Sequence, residues 1–114
     1  MATGWYELSK SSDGQFHFVL KAANAETILT SELYKQRASA ENGIASVQAN
    51  AANAAHYDKL VAKNGKFYFN LKALNHQVIG TSQMYSSVAA RDGGIASVQA
   101  NGATTNVKDN TAAS

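Results

Sequence analysis

The sequence predicts an α+β fold in which one β-rich unit, closed by a helix, is written twice and packed as a pseudo-dimer on a shared antiparallel sheet. Three observations lead there. Gly43-Ile44-Ala45-Ser46-Val47-Gln48-Ala49-Asn50 recurs letter for letter as residues 94–101, an offset of 51. Carried back without a gap, that offset leaves 21 of 47 positions identical between residues 4–50 and 55–101, which establishes an internal duplication. Each copy also moves from a period of two, expected of strands, to a helical stripe.

The elements follow in order. Trp5 to Lys10 reads as a first strand, with a less regular duplicate from His56 to Ala62. Asp13-Gly14 and Asn64-Gly65 between β-prone runs are strong hairpin signals. Phe16, Phe18 and Leu20 then alternate with His17, Val19 and Lys21, as Phe67, Phe69 and Leu71 do with Tyr68, Asn70 and Lys72. One face is apolar in both copies and the other mixed. A third strand is expected near Glu26–Thr30 and Gln77–Thr81, with Asn24 and Asn75 as left-handed turn residues. In the helix, Ser39 is the expected cap, and Ala40, Ile44, Val47 and Ala51 form one stripe. Asn50 and Asn101 are placed for left-handed helix ends.

A unit of about 50 residues buries too little surface to be comfortable alone. The five-residue link Ala51-Ala52-Asn53-Ala54-Ala55 has neither Pro nor Gly. One domain of two repeats follows, about 4–51 and 55–108, with both helices expected on one face of the sheet. Thr104 to Lys108 can add one more short strand, and 109–114 is expected to be a disordered tail.

Gly4-Trp5-Tyr6-Glu7-Leu8, the run from Phe16 to Ser31, Gly43 to Asn50, and Asn64-Gly65-Lys66-Phe67-Tyr68-Phe69-Asn70-Leu71-Lys72-Ala73 together carry a resemblance. The chain resembles the YegP-like family of small bacterial proteins over nearly its whole length. The resemblance implies tandem β-β-β-α-β repeats on one sheet, with the last strand exchanged between units, in a bacterial cytoplasm. The family's role is uncharacterised, so no site residues carry over.

Composition narrows the chemistry. The 114 residues are 45% hydrophobic and 16% charged, with no cysteine, which removes disulfides, thiolate catalysis and cysteine metal sites. No apolar run suits a membrane span, and no signal peptide is visible at Met1 to Trp5. Residues 1–51 hold four Lys/Arg against five Asp/Glu; residues 52–114 hold six against three, so the basicity lies in the second copy. Its Lys59, Lys63, Lys66 and Lys72 read first as a solvated face.

His17, His56 and His76 have no metal-ligand spacing, and their duplicates are Tyr68, Trp5 and Ala25. Glu7 and Asp58 occupy equivalent first-strand positions, and acid–base work would require them to meet in a cleft. Gly43 and Gly94, expected in the first helical turns, suggest close backbone approach; an anion at the helix end beside Arg91 is the lesser reading. Phe67 and Phe69 resemble a base-stacking strand only if they face solvent, and their wholly apolar face argues for core. Tyr34 and Tyr85 are expected to close the edge of the core.

The reading that follows is a non-enzymatic structural or binding module of the bacterial cytoplasm, without cofactor or metal, and a monomer rather than a homo-oligomer. Its candidate binding face is His17, Lys21, Tyr68, Asn70 and Lys72. Partners are not identified, and a membrane is not among them. The alternative is weak single-stranded nucleic-acid binding through the second repeat's open face.

Overall fold

Seven strands and two helices make up the chain in the computed structural model, which describes residues 4–111. The strands are β1 (Trp5–Lys10), β2 (Phe16–Lys21), β3 (Thr27–Thr30), β4 (Tyr57–Val61), β5 (Phe67–Lys72), β6 (Val78–Thr81) and β7 (Val107–Asp109). The helices are α1 (Arg37–Asn50) and α2 (Val88–Asn101), and a short 3-10 turn, Ala54–His56, leads into β4. One sheet holds all seven strands in the order β4-β5-β6-β3-β2-β1-β7. The two repeats meet at β3 and β6, where Thr30 pairs with Thr81. A pseudo-twofold axis passes there.

The sheet departs from a purely antiparallel expectation at one place: β7 runs parallel to β1, Tyr6 opposite Val107 and Leu8 opposite Asp109. The Tyr6 amide donates to the Asn106 carbonyl (2.9 Å), and the Asn110 amide donates to the Leu8 carbonyl (2.8 Å). Side chains explain why the strand closes on β1. Arg37 donates to Asp109 and Thr111, and Lys108 Nζ stands 5.0 Å from the centre of the Trp5 ring. At β4, the duplicates of Arg37 and Trp5 are Val88 and His56, which offer neither contact. Hydrogen bonds from Arg37, then from Thr111, hold the Asp109 carboxyl well below the usual carboxylate range. Asp109 and Thr111, expected in a disordered tail, are therefore tied down, and 112–114 lie outside the described residues.

Both helices pack on one face, where alternation places the apolar side chains. Tyr6, Leu8, Phe18, Leu20, Leu29, Phe69, Leu71, Val47 and Val98 form one buried cluster drawn from both repeats. The stripe Ala40, Ile44, Val47 and Ala51 is buried against it as expected. A register shift between Leu20 and Lys21, repeated between Leu71 and Lys72, lets two consecutive residues of β3, Ile28 and Leu29, enter the core.

Several local expectations are corrected. Helix α1 starts at Arg37 after Gln36, with no side-chain cap, so Ser39 lies inside the first turn. In α2 the cap is Ser87, the duplicate of Gln36, whose Oγ accepts from the Ala90 amide (3.0 Å). Asn50 and Asn101 remain helical because each side-chain amide bonds back to the carbonyl four residues earlier, Ser46 or Ser97. The left-handed turn residues are Ala25 and His76, while Asn24 and Asn75 accept from the amides of Glu26 and Gln77.

The helix glycines lie near mid-helix, not in the first turns, and answer to packing. A methyl group on Gly43 would sit 2.7 Å from Tyr34 Oη and 2.8 Å from Phe18 Cε2; one on Gly94 would collide with Tyr85. The Tyr34 ring stacks on Phe18 and Tyr85 on Phe69, closing the core edge. Arg91, the duplicate of Ala40, is engaged by Asp92 and lies over the Phe67 ring, so no anion site forms there.

Two buried phenols close the helix ends. Tyr6 Oη donates to the Gly102 carbonyl and Tyr57 Oη to the Ala51 carbonyl, each 2.6 Å and equivalent under the duplication. Burial pushes both hydroxyls well above the ordinary tyrosine range, with Tyr57 adding to the effect on Tyr6. The folded state thus holds these protons where the unfolded chain, with tyrosine near 10, releases them. Stability should be full below about pH 10 and fall as pH rises beyond it. Urea midpoints across that range should drop for the wild type, and the drop should flatten in Tyr6→Phe/Tyr57→Phe.

Candidate functional site

The helix-free face of the sheet is built by the second half of each alternation. Strand registers align one row across all seven strands: Asp58, Asn70, Thr81, Thr30, Val19, Glu7 and Lys108. Thr30 and Thr81 straddle the pseudo-twofold axis at its centre. The predicted residues His17, Lys21, Tyr68, Asn70 and Lys72 all lie on this face and are all half-buried. They do not converge. β2 and β5 run in opposite directions, so Lys21 and Tyr68 fall on one side of the row, His17 and Lys72 on the other. Three strand spacings, about 14 Å, separate the two strands.

The charges on this face are largely paired. Lys72 Nζ is 2.7 Å from Asp58 Oδ2, Trp5 Nε1 donates to Glu7 Oε2 (2.8 Å), and Thr81 donates to Asn70 (2.9 Å). Lys59 reaches Asp92 at 3.8 Å from the other side of β4. The surplus basicity of the second repeat therefore does not gather into a strip. Phe69 is wholly buried under the helices and Phe67 partly so, which leaves Tyr68 as the aromatic residue of β5 on the open face.

Glu7 and Asp58 stand five strand spacings apart, about 24 Å along the sheet, and each already has a partner. They form no acid–base pair. Among the described residues, no group of three or more His, Asp or Glu side chains could hold a metal ion. Among the same residues, no helix is long and apolar enough to cross a membrane.

Two concavities border the second repeat, the smaller of them sharing Asp58 and Lys72 with the face. A groove of about 570 Å³ runs between α1 and the β5–β6 turn, with Glu32, Asn42, Asn75 and Gln77 at its rim and Ile79 in its wall. A smaller cavity of about 310 Å³ is lined by His56, Asp58, Lys72, Ala73, Leu74 and His76. Sequence reasoning treated His56 and His76 as isolated. The available signal was that His56 stands where the first copy has Trp5.

A duplicated α+β scaffold on one mixed sheet defines a tandem-repeat class. The family described as "Domain of unknown function (DUF1508)" matches residues 11–58 and 62–109, and the chain belongs to that family. Each match spans two strands and a helix, ending in the start of β4 in the first and with the whole of β7 in the second. The chain is 67% identical over 108 residues to the UPF0339 protein YegP of Shigella flexneri, covering 95% of this chain and 98% of that protein. It is 68% identical over 107 residues to a UPF0339 protein of Shewanella oneidensis, covering 94% and 97%. The solution NMR structure of yegP from E. coli, titled a protein of unknown function, superposes with a TM-score of 0.93 at 63% identity, covering 98% and 97%.

Proposed function

We infer that this chain is a small non-enzymatic binding module of the bacterial cytoplasm, acting as a monomer through the helix-free face of its sheet. The observation that supports this most is the uninterrupted row from Asp58 to Lys108, to which both repeats contribute. Its side chains are held by pairing across strands and form a broad mixed surface, as protein contacts require and catalytic clefts do not. Single-stranded nucleic-acid binding finds no support, since the Phe rings of β5 face the core and the second repeat's lysines do not gather into a strip.

Affinity capture from a bacterial lysate should compare the wild type with Thr30→Arg, at the centre of the row, and with Glu41→Lys, on the exposed side of α1. A specific partner should be retained by the wild type and Glu41→Lys and lost by Thr30→Arg, all three being folded by circular dichroism. Equal retention by Thr30→Arg would refute the face. Metabolite turnover abolished by one substitution would refute the non-enzymatic reading.

A further inference from the structure

The geometry points to the His56–His76 cavity as a site for a small planar heteroaromatic acid, a ring bearing an N–H donor and a carboxylate. The first repeat supplies the template. There Trp5 stands opposite Lys21 in the β1–β2 register, on the same face as Glu7. Its indole N–H is bound by Glu7, and a cation, Lys108, stands over its ring.

Two parts of that arrangement have counterparts in the second repeat, whereas the ring and the cation Lys108 have none. Asp58 duplicates Glu7, and Lys72 duplicates Lys21. The ring position itself falls to His56, which is smaller and closes a 3-10 turn where Trp5 already belongs to a strand. Its Nδ1 is buried without a hydrogen-bond partner, whereas the Trp5 indole nitrogen is satisfied. Among the described residues no strand covers the outer edge of β4 as β7 covers β1, so the space stays accessible.

The result is a cavity of about 310 Å³, at the small end of the range of about 300–1,000 Å³ usual for ligand pockets. Its walls suit such a molecule. Asp58 accepts the ring N–H as Glu7 does in the first repeat. Lys72, now held 2.7 Å from Asp58, is the cation for the ligand's carboxylate, with His76 also in the lining. Leu74, 82% exposed, and Ala73 give the ring apolar contact. The site shares Asp58 and Lys72 with the sheet face but requires no protein partner, so its test reads separately from that of the face.

Amide shifts of the intact chain should be followed by NMR on titration with indole-3-acetate, and separately with indole and with acetate. Saturable shifts should centre on His56, Asp58, Ala73 and His76, with indole-3-acetate binding more tightly than either fragment. His56→Trp supplies the missing ring from within and should weaken binding by about tenfold or more, in a fold that accepts Trp at the equivalent Trp5. Lys72→Gln should erase the advantage of indole-3-acetate over indole while leaving indole binding in place. Absence of saturable shifts at millimolar probe, or unchanged affinity in both variants, would overturn the assignment.

Discussion

Phe69→Ala should cost about 3–5 kcal/mol of folding stability, the range for removing a fully buried phenylalanine. The ring is wholly inaccessible, packs edge-on against Tyr57 at 5.6 Å, and carries the stacked Tyr85 at 6.4 Å. Tyr85 in turn lies against Gly94 of α2. Removing the ring therefore loosens β4, the loop before α2 and the helix together, and the space cannot close without moving the sheet. Chemical denaturation should show the midpoint falling with the slope conserved.

The second large effect sits at the pseudo-twofold axis. Leu29 and Gly80 are duplicates of each other, and a methyl group on Gly80 would lie 2.7 Å from both Cγ and Cδ2 of Leu29. One leucine fills the space that two equivalent positions share. Gly80→Leu, which makes the repeats more alike, should overpack the centre and cost about 1–3 kcal/mol. Leu29→Gly should be destabilising as well, by emptying the same space. Combining them restores one leucine and one glycine, so the double variant should be more stable than the sum of the single effects predicts. Additive losses would show that the two residues do not share that space.

These two sites indicate how far the sequence was legible. Phe18 and Phe69 declared themselves through a period of two and through recurrence. The fold class, the helix stripe and the apolar face followed from the same regularity. Leu29 and Gly80 were visible only as a mismatch in the duplication, because their complementarity exists across the axis and not along the chain. The expected cap at Ser39 gives way to Gln36, three residues earlier, because the helix begins where the pairing of Tyr34 with Phe16 releases the chain.

The candidate face was legible as a set of residues but not as a geometry. Alternation puts His17, Lys21, Tyr68, Asn70 and Lys72 on one side, yet nothing in it says that β2 and β5 are separated by β3 and β6. Nor does local pattern say that Val107–Asp109 will pair with a strand about a hundred residues earlier. That pairing fills the rim of the first repeat and leaves the second repeat's rim open beside His56. The chemical difference between the copies lies in that contrast, Trp5 under Lys108 on one side and a cavity on the other.

The central claim is that both repeats share one core, so that the sheet face and its row of side chains exist only when the two fold together. Trp5, the single tryptophan, lies in the first repeat, on the opposite side of the sheet from Phe69 and four strands away. Urea unfolding of Phe69→Ala should therefore be followed by Trp5 fluorescence and by far-ultraviolet circular dichroism in the same samples. A shared core predicts that both signals move to the same lower midpoint. A Trp5 transition left at the wild-type midpoint, while the dichroism signal shifts or splits, would contradict it.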